Sequence, residues 1–549
     1  MAVWRAFAKP LRYAALAAGA LPALAFPQLN LEFLGWCGLV PGILIISAAP
    51  SAREAVVRGW WLGAGFILAA LYWLTPNIGP GLLLVAVVFG VLWTGFGVAA
   101  WALLHPPLRP ARAIAALAVL PGYWVFTEWA RSWQGFGGPW DVLGASQWEH
   151  PVVLALASVG GVWLISFALI VANTAIAILL LARGLAVRAV GAAGVAVALA
   201  TGPVAFALLA AVPPVRQVTV ALVQPGLTSS TSQRVDASLR LSSQLRAGRT
   251  GAARPDLIVW GESSVGTDLE RQPVLFRQIR RLAAATGAEV LVNQDASLPD
   301  GARSKVALLI GPHGIAGSYT KTRLVPFGEY IPLRGALGWL ARISKAAPSN
   351  MVPGDGAHLI HATSRSGQPL PLGVLICFES AFPDMSRVDT GLGAQLIVYQ
   401  TSDSTFQRTW APAQHAALGA VRAAETGRPV VQAALTGETV AFDARGRLLA
   451  QMTARQRGVT VVRLGLPPTA ARTPYDRLGD YVPWVATGIV LVAAIAGFQM
   501  VRRVHGGRVP LEGNLRRARS VSVVGASPGT SLPPDDVEQH APPSPPADR

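Results

Sequence analysis

Eight long apolar runs decide most of what this chain can fold into. Seven lie before residue 215, near 11–27, 30–50, 56–75, 80–104, 112–130, 152–182 and 189–212, and an eighth spans about 481–501. Each is close to the roughly 20 residues that carry a helix across about 30 Å of hydrocarbon. The runs are continuous, without period-two alternation, and in lipid only a helix or a closed barrel satisfies the backbone. They predict a polytopic α-helical membrane domain with about eight spans. The composition agrees: of 549 residues, 52% are hydrophobic and only 14% charged, where soluble domains carry roughly 25%.

A net charge of +17 raises nucleic acid as a partner. However, the Lys and Arg residues sit at the ends of apolar runs and in the C-terminal tail, not on one segment with interleaved aromatics. They read as topology signals and contacts to membrane lipids, with no nucleic-acid partner. Arg5, Lys9 and Arg12 precede the first run, and Arg53, Arg58, Arg109, Arg112, Arg183 and Arg188 mark alternate loops. The intervening loops PQLNLE and LTPNIGPG carry no basic residue, and 131–151 has only Arg131. By the positive-inside rule both termini are cytoplasmic. The expected organisation is a seven-span domain at 1–215, an extracytoplasmic domain at 216–470, a last span with its lead-in at 471–503, and a disordered cytoplasmic tail at 504–549, rich in Pro, Ser and charge. Residues 1–26 also fit a cleavable signal peptide, which would leave the downstream topology unchanged. An uncleaved span is preferred because another run follows almost at once.

From Val218 the pattern changes to short β-branched runs: VTVALVQ, DLIVWGES, EVLVNQD, KVALLIG, PLGVLICFES, AQLIVYQTS, RPVVQAAL and ETVAFDARG. Amphipathic helical stretches such as 272–286 and 411–426 lie between them. Apolar strands separated by helices predict a buried mixed sheet covered by helices, an α/β domain. Three strand ends carry ionisable or nucleophilic groups: Glu262 in WGESS, Lys321 in YTKTRLVPFGEYIP together with Glu329, and Cys377 followed by Phe378 and Glu379. Singly, each has an ordinary explanation as a solvated loop carboxylate, a surface lysine or a buried thiol. Together their chemistry fits. A cysteine that attacks an ester must lose its proton, which a carboxylate can take, and an ammonium can stabilise the oxyanion that forms. The domain's histidines, His313, His358, His361 and His415, lie in hydrophilic or glycine-bearing surroundings and follow no buried strand, which disfavours a Cys/His site. Cys37, inside an apolar run, reads as buried filler and as no disulfide partner for Cys377.

WGESS, LVPFGEY with its upstream lysine, and GVLICFES together resemble the nitrilase, or carbon–nitrogen hydrolase, superfamily. Seven spans before such a domain and one after it resemble its membrane branch, the apolipoprotein N-acyltransferases. The loop GFGGPWDVLGASQ (135–147) and the segment TPYDRLGD (473–480) are similar to that branch as well. The resemblance covers roughly 10–500 and implies an α-β-β-α sandwich with a Glu–Lys–Cys triad. It implies transfer of an acyl chain from a membrane phospholipid donor, through a cysteine thioester, to the α-amino group of a diacylglyceryl-modified apolipoprotein in a bacterial cytoplasmic membrane. Carried over, Cys377 is the nucleophile, Glu262 the general base and Lys321 the oxyanion stabiliser. Glu329 and Glu379 are supporting carboxylates, and Phe378 offers its backbone N–H. The chain departs from the family at Phe378, where many members have Tyr, at TSDSTF (401–406), where Asp403 and Phe406 remain of a longer motif, and at QPG (224–226). Metal-ligand spacing and a phosphate-cradling glycine loop are both missing from the sequence, so no cofactor is expected.

Three rivals stand beside this reading. A membrane-anchored amidase would release its acyl group to water, and a silent paralogue would bind lipoproteins without reaction. A transporter would need polar groups within its spans, where Glu128 and Asn173 are the main intrusions.

Overall fold

A computed structural model describes residues 2–209, 212–228, 230–245, 254–298, 301–343 and 350–506. Two compact units divide the chain, Met1–Ala494 and Ile495–Arg549, and the described part of the second is the end of a helix. Of the tail expected from 504, residues 507 onward lie outside the described residues.

The first apolar runs fold as helices α1 (Ala2–Ala20), α2 (Phe33–Ser47), α3 (Ala52–Ala70), α4 (Gly81–Leu104), α5 (Pro110–Arg131), α6 (Pro151–Leu181) and α7 (Leu185–Leu208). Among the described residues five helices are long and apolar enough to cross a membrane: α4 to α7 and Tyr481–Gln499. A sixth is added if α3 and Tyr72–Ile78, bent by 56°, make one span. The expected count of eight exceeds this. Proline accounts for part of the difference: the first run ends in a short 3-10 turn at Leu21–Ala25 that contains Pro22, and Pro27 follows it. Helix α2 is too short to be a span by length alone.

Polar groups in this part satisfy broken backbone. Asn173 on α6 accepts a hydrogen bond from Leu39 N–H (2.8 Å) and donates to Gly35 O (2.9 Å), where α2 is interrupted. Glu128 on α5 accepts from Trp124 Nε1 (2.8 Å) and from Leu143 N–H (2.7 Å). Helix α6 itself breaks at Gly160 and Gly161, the latter at φ 70°, and a Cβ on Gly161 would lie 2.6 Å from the Tyr475 ring. The freed Val162 N–H donates to Glu425 Oε1 (2.8 Å) of the following domain.

That domain holds two six-stranded sheets. The first contains β1 (Arg216–Gln224), β2 (Leu257–Trp260), β3 (Glu289–Ser297), β4 (Arg303–Gly311), β5 (Gly314–Thr320) and β12 (Gly458–Leu466), in the order β12-β1-β2-β3-β4-β5. The second contains β6 (Ile360–Thr363), β7 (Pro369–Ile376), β8 (Leu396–Thr401), β9 (Val430–Ala434), β10 (Thr439–Phe442) and β11 (Leu448–Met452), in the order β11-β10-β9-β8-β7-β6. In each sheet the parallel strands are central, β1-β2-β3 and β7-β8-β9, and the outer pairings are antiparallel. Period-two alternation sorts the apolar side chains. Val220, Leu222, Leu257 and Val259 face the core between the sheets, while Ala221, Val223, Ile258 and Trp260 pack beneath helices α8 (Thr231–Ser243) and α9 (Pro273–Thr286). Helices α10 (Pro383–Leu392) and α11 (Ala411–Thr426) cover the second sheet, completing an α-β-β-α sandwich. Burial on both faces is why the central strands read as continuous apolar runs. Helix α12 (Tyr481–Gly506) follows.

Helix α11 joins the two parts of the molecule. Glu425 is fully buried and pairs with Arg422, whose other nitrogen donates to Ala381 O (3.3 Å). Glu425→Ala strips the buried Arg422 of its counter-charge and leaves the Val162 N–H without an acceptor. The expected cost is about 3–5 kcal/mol, seen as a lower thermal unfolding midpoint of the detergent-solubilised protein, with Glu425→Gln losing less.

Candidate active site

The site forms where the central strands of the two sheets end side by side. Gly261 follows β2, and a Cβ there would lie 2.1 Å from Leu435 N, so only glycine lets β2 pass the end of β9. Thr401 O accepts from both Glu262 N–H (3.2 Å) and Leu435 N–H (2.8 Å). Gln400 donates to Trp260 O (2.8 Å) and accepts from Asn293 Nδ2 (3.2 Å). Backbone and amide bonds therefore fix the register of one sheet against the other at the point where Glu262 emerges. Its carboxylate is buried, with Oε1 3.5 Å from Lys321 Nζ and 3.3 Å from Lys305 Nζ. Burial pulls the Glu262 carboxyl upward, but Lys305 and then Lys321 outweigh it and leave it below the usual carboxylate range.

Lys321 follows β5 and has no exposed surface. Its Nζ donates to Glu329 Oε1 (2.8 Å), and Glu329 Oε2 accepts from Val325 N–H (2.9 Å). Burial works against the ammonium, yet Glu329 and Glu262 hold it charged well above the ordinary lysine range. Cys377 follows β7 and opens the 3-10 turn Cys377–Ala381. Its φ of 53° is rare for a residue with a side chain. Ser263 (φ 51°) and Phe327 (φ 62°) share that conformation, so backbone strain gathers around Glu262, Lys321 and Cys377. The thiol and the Glu262 carboxylate are close enough to influence each other electrostatically. Burial, and then Glu262, push its pKa up, so at neutral pH the resting sulfur carries its proton.

Glu379 is a clamp. Its Oε1 accepts from Tyr319 O–H (2.9 Å), Thr322 N–H (2.7 Å), Thr322 O–H (2.9 Å) and Arg323 N–H (3.0 Å), and its Oε2 accepts from Ile376 N–H (2.8 Å). One carboxylate thus ties the lysine loop to the cysteine strand. Phe378 is buried and packs edge-on against Phe382.

His415 corrects the reading of the sequence. Far from hydrophilic, its surroundings on α11 are buried on nearly every side, and its ring is 1% exposed. Nδ1 lies 3.0 Å from Asp403 Oδ1, and Nε2 faces Cys377 O (3.2 Å) and Ser380 Oγ (2.9 Å). Burial opposes its charge, but Asp403 outweighs it and raises its pKa. The apolar segment WAPAQHAALGAV was the available signal for a buried histidine. It sits behind the cysteine's carbonyl and not beside the thiol, so the site remains distinct from a Cys/His pair. Lys305 is the other group that sequence reasoning passed over. Lys305 sits mid-strand, where alternation alone predicts a solvated side chain.

Aromatic rings of the membrane part, Tyr72 and Trp73 from the short turn after α3 and Trp140 from the loop between α5 and α6, pack beside the sandwich: Trp73 is tilted against Trp140 and edge-on to Phe406, Tyr72 is edge-on to Trp410, and Trp140 is tilted against His415. Gln134 also donates to Leu324 O (3.1 Å) in the lysine loop.

An α-β-β-α sandwich that brings Glu262, Lys321 and Cys377 together at the ends of its strands defines a protein of the carbon-nitrogen hydrolase class, and that family matches residues 219–471. The apolipoprotein N-acyltransferase N-terminal domain matches residues 18–175. An apolipoprotein N-acyltransferase of Geobacter metallireducens is 29% identical over 512 residues, covering 88% of this chain and 94% of the relative. Those of Allorhizobium ampelinum (30% over 532 residues, 89% and 96% covered) and Pseudomonas syringae pv. tomato (30% over 505 residues, 88% and 94% covered) are similar. This chain belongs to the apolipoprotein N-acyltransferase family.

Gly261→Ala would drive β2 and β9 apart and displace the carboxylate beside it. Activity is expected to fall about 100-fold or more, while circular dichroism keeps its helix and strand signals.

Proposed function

We propose that this protein N-acylates apolipoproteins in a bacterial cytoplasmic membrane, using Cys377 as nucleophile, Glu262 as general base and Lys321 as oxyanion stabiliser. The observation that carries the reading is the packing of aromatic side chains from the membrane part, Trp73 in the short turn after α3 and Trp140 in the loop between α5 and α6, beside His415 and the cysteine turn it backs. Lipid substrates need such an apolar approach, whereas an amidase for small soluble substrates does not.

The geometry supports a two-step path. Because the thiol rests protonated, attack on the phospholipid ester is coupled to transfer of its proton to Glu262. The oxyanion is held by the Lys321 ammonium and by Phe378 N–H in the first turn after the strand. The lysophospholipid leaves with the proton from Glu262, and the acyl chain stays on sulfur as a thioester. The α-amine of a diacylglyceryl-modified N-terminal cysteine then attacks the thioester and gives its proton to Glu262, which returns it to the departing sulfur. Glu329 keeps Lys321 charged and aimed, and Glu379 holds the lysine and cysteine loops in one register. The divisions 1–215, 216–470, 471–503 and 504–549 fit this reading, as do eight crossings in which α1 and α2 each count as one. Cytoplasmic termini and an extracytoplasmic site follow from the arginine distribution.

The test incubates the detergent-solubilised protein with phospholipid and a diacylglyceryl-cysteine peptide, beside Cys377→Ala. Mass spectrometry is expected to find an acyl adduct on the Cys377 fragment that passes to the peptide amine and is missing in the variant. An adduct that decays only to free fatty acid would identify a hydrolase, and no adduct from any phospholipid would identify a silent binder.

A further inference from the structure

Glu262 lies between two lysines, and the path above uses only one of them. The second, Lys305, extends from β4, where its Cα partner across the sheet is Asp295 of β3. Its Nζ is 3.3 Å from Glu262 Oε1 and 3.1 Å from Asp295 Oδ1, and it donates to Ser263 Oγ at 2.7 Å. The side chain is 12% exposed, toward a polar cavity of about 320 Å³ that also borders Glu262, Arg234 and Ser404.

Distances decide how the charges are shared. Lys321 is nearer Glu329 (2.8 Å) than Glu262 (3.5 Å), so much of its charge is already matched. The order Asp295, Lys305, Glu262, Lys321, Glu329 alternates in sign, with Glu262 at its centre. Without Lys305, three carboxylates would share one ammonium, and Glu262, 4% exposed, would lose its nearer cation. A buried carboxylate deprived of its cation takes up a proton. The remaining groups around it do not replace Lys305. Arg234 on α8 is bound to Ser263 O (2.7 Å), His415 on α11 is paired with Asp403, and Cys377 is a neutral thiol that supplies no positive charge.

We propose that Lys305 is a positioning residue: pinned by Asp295 and Ser263, it keeps Glu262 an oriented carboxylate facing Cys377 and so sets the lowest pH at which the cysteine can be activated. The inference rests on Glu262 acting as the base for Cys377. The sign follows from the lowered Glu262 pKa, whose leading downward cause is Lys305. Removing that cation moves the Glu262 titration upward, so reactivity is lost from the acid side and recovers as pH rises.

The experiment follows alkylation of Cys377 by iodoacetamide in the full-length protein across pH, read by mass spectrometry on the Cys377 peptide. In this reaction the S–C bond forms, iodide leaves and the thiol proton passes to Glu262. Lys305→Met is expected to react about tenfold or more slowly near pH 6 and to approach the wild-type rate toward about pH 9. Lys305→Arg is expected to follow wild type. Asp295→Asn, which frees Lys305 from its other anion, is expected to leave the acid limb in place or lower it. The proposal is overturned if Lys305→Met superimposes on wild type, or if it is slower by one factor at every pH, as a merely structural role would give. An acid limb raised in Asp295→Asn overturns it too, and that variant still reads the proposal if Lys305→Met fails to fold. Acyl transfer assayed on the same samples separates the two readings. Wild type that alkylates as expected but transfers no acyl chain counts against the acyltransferase and leaves Lys305 in place.

Discussion

A helix broken in apolar surroundings frees backbone N–H groups that must find acceptors. In this protein the acceptor for α6 comes from the sandwich domain. Glu425 receives the Val162 N–H, pairs with Arg422, and through Arg422 reaches the carbonyl at the end of the cysteine turn. The same helix carries His415 behind the Cys377 carbonyl and Gln414 against the Trp140 indole (3.0 Å). The Cys377 turn is therefore held relative to the membrane helices by a helix and not by a linker. For substrates whose reacting ester lies at a fixed depth below a lipid headgroup, that attachment is a positional requirement.

Electrostatics organise the site in the same economical way. Five buried or half-buried groups alternate in sign from Asp295 to Glu329, so no single charge is left to repel the next. The arrangement keeps a lysine charged without surface exposure, next to a thiol that stays neutral until a substrate arrives. A thiol held neutral reacts only as fast as a neighbouring base can take its proton, which places control of its reactivity on the carboxylate beside it.

The strands legible in the sequence are the inner ones. VTVALVQ, DLIVW, GVLI and LIVYQ are buried on both faces and announce themselves as unbroken apolar runs. Sequence reading passed over β5, β6, β11 and β12, and these are the four edge strands of the two sheets. GIAGSYT and LLAQM mix exposed and buried positions because one flank meets solvent, so periodicity carried little signal there. Glu262 and Cys377 were legible because each follows a recognisable apolar strand, and Lys321 because it opens the motif-bearing segment KTRLVPFGEY. His415 and Lys305 were not, since a buried histidine on an alanine-rich helix and a lysine within a strand acquire their meaning only from partners distant in sequence, Asp403 and Glu262. The described helices give fewer long spans than the eight apolar runs, because the first run turns at Pro22 and the second folds as a helix too short to count by length.

The pairing of β1 with β12, in register from Arg216↔Leu466 to Gln224↔Gly458, joins the domain's first strand to its last. During synthesis β1 is made long before its neighbour exists, and it must wait with an open hydrogen-bonding edge until the whole sandwich has been produced. The fold can therefore lock only after chain elongation has passed the final strand, just ahead of the helix that follows it. A truncated product would carry Glu262, Lys321 and Cys377 yet lack the seam that seals their sheet. The sandwich therefore completes its first sheet only once its last strand, β12, has been made.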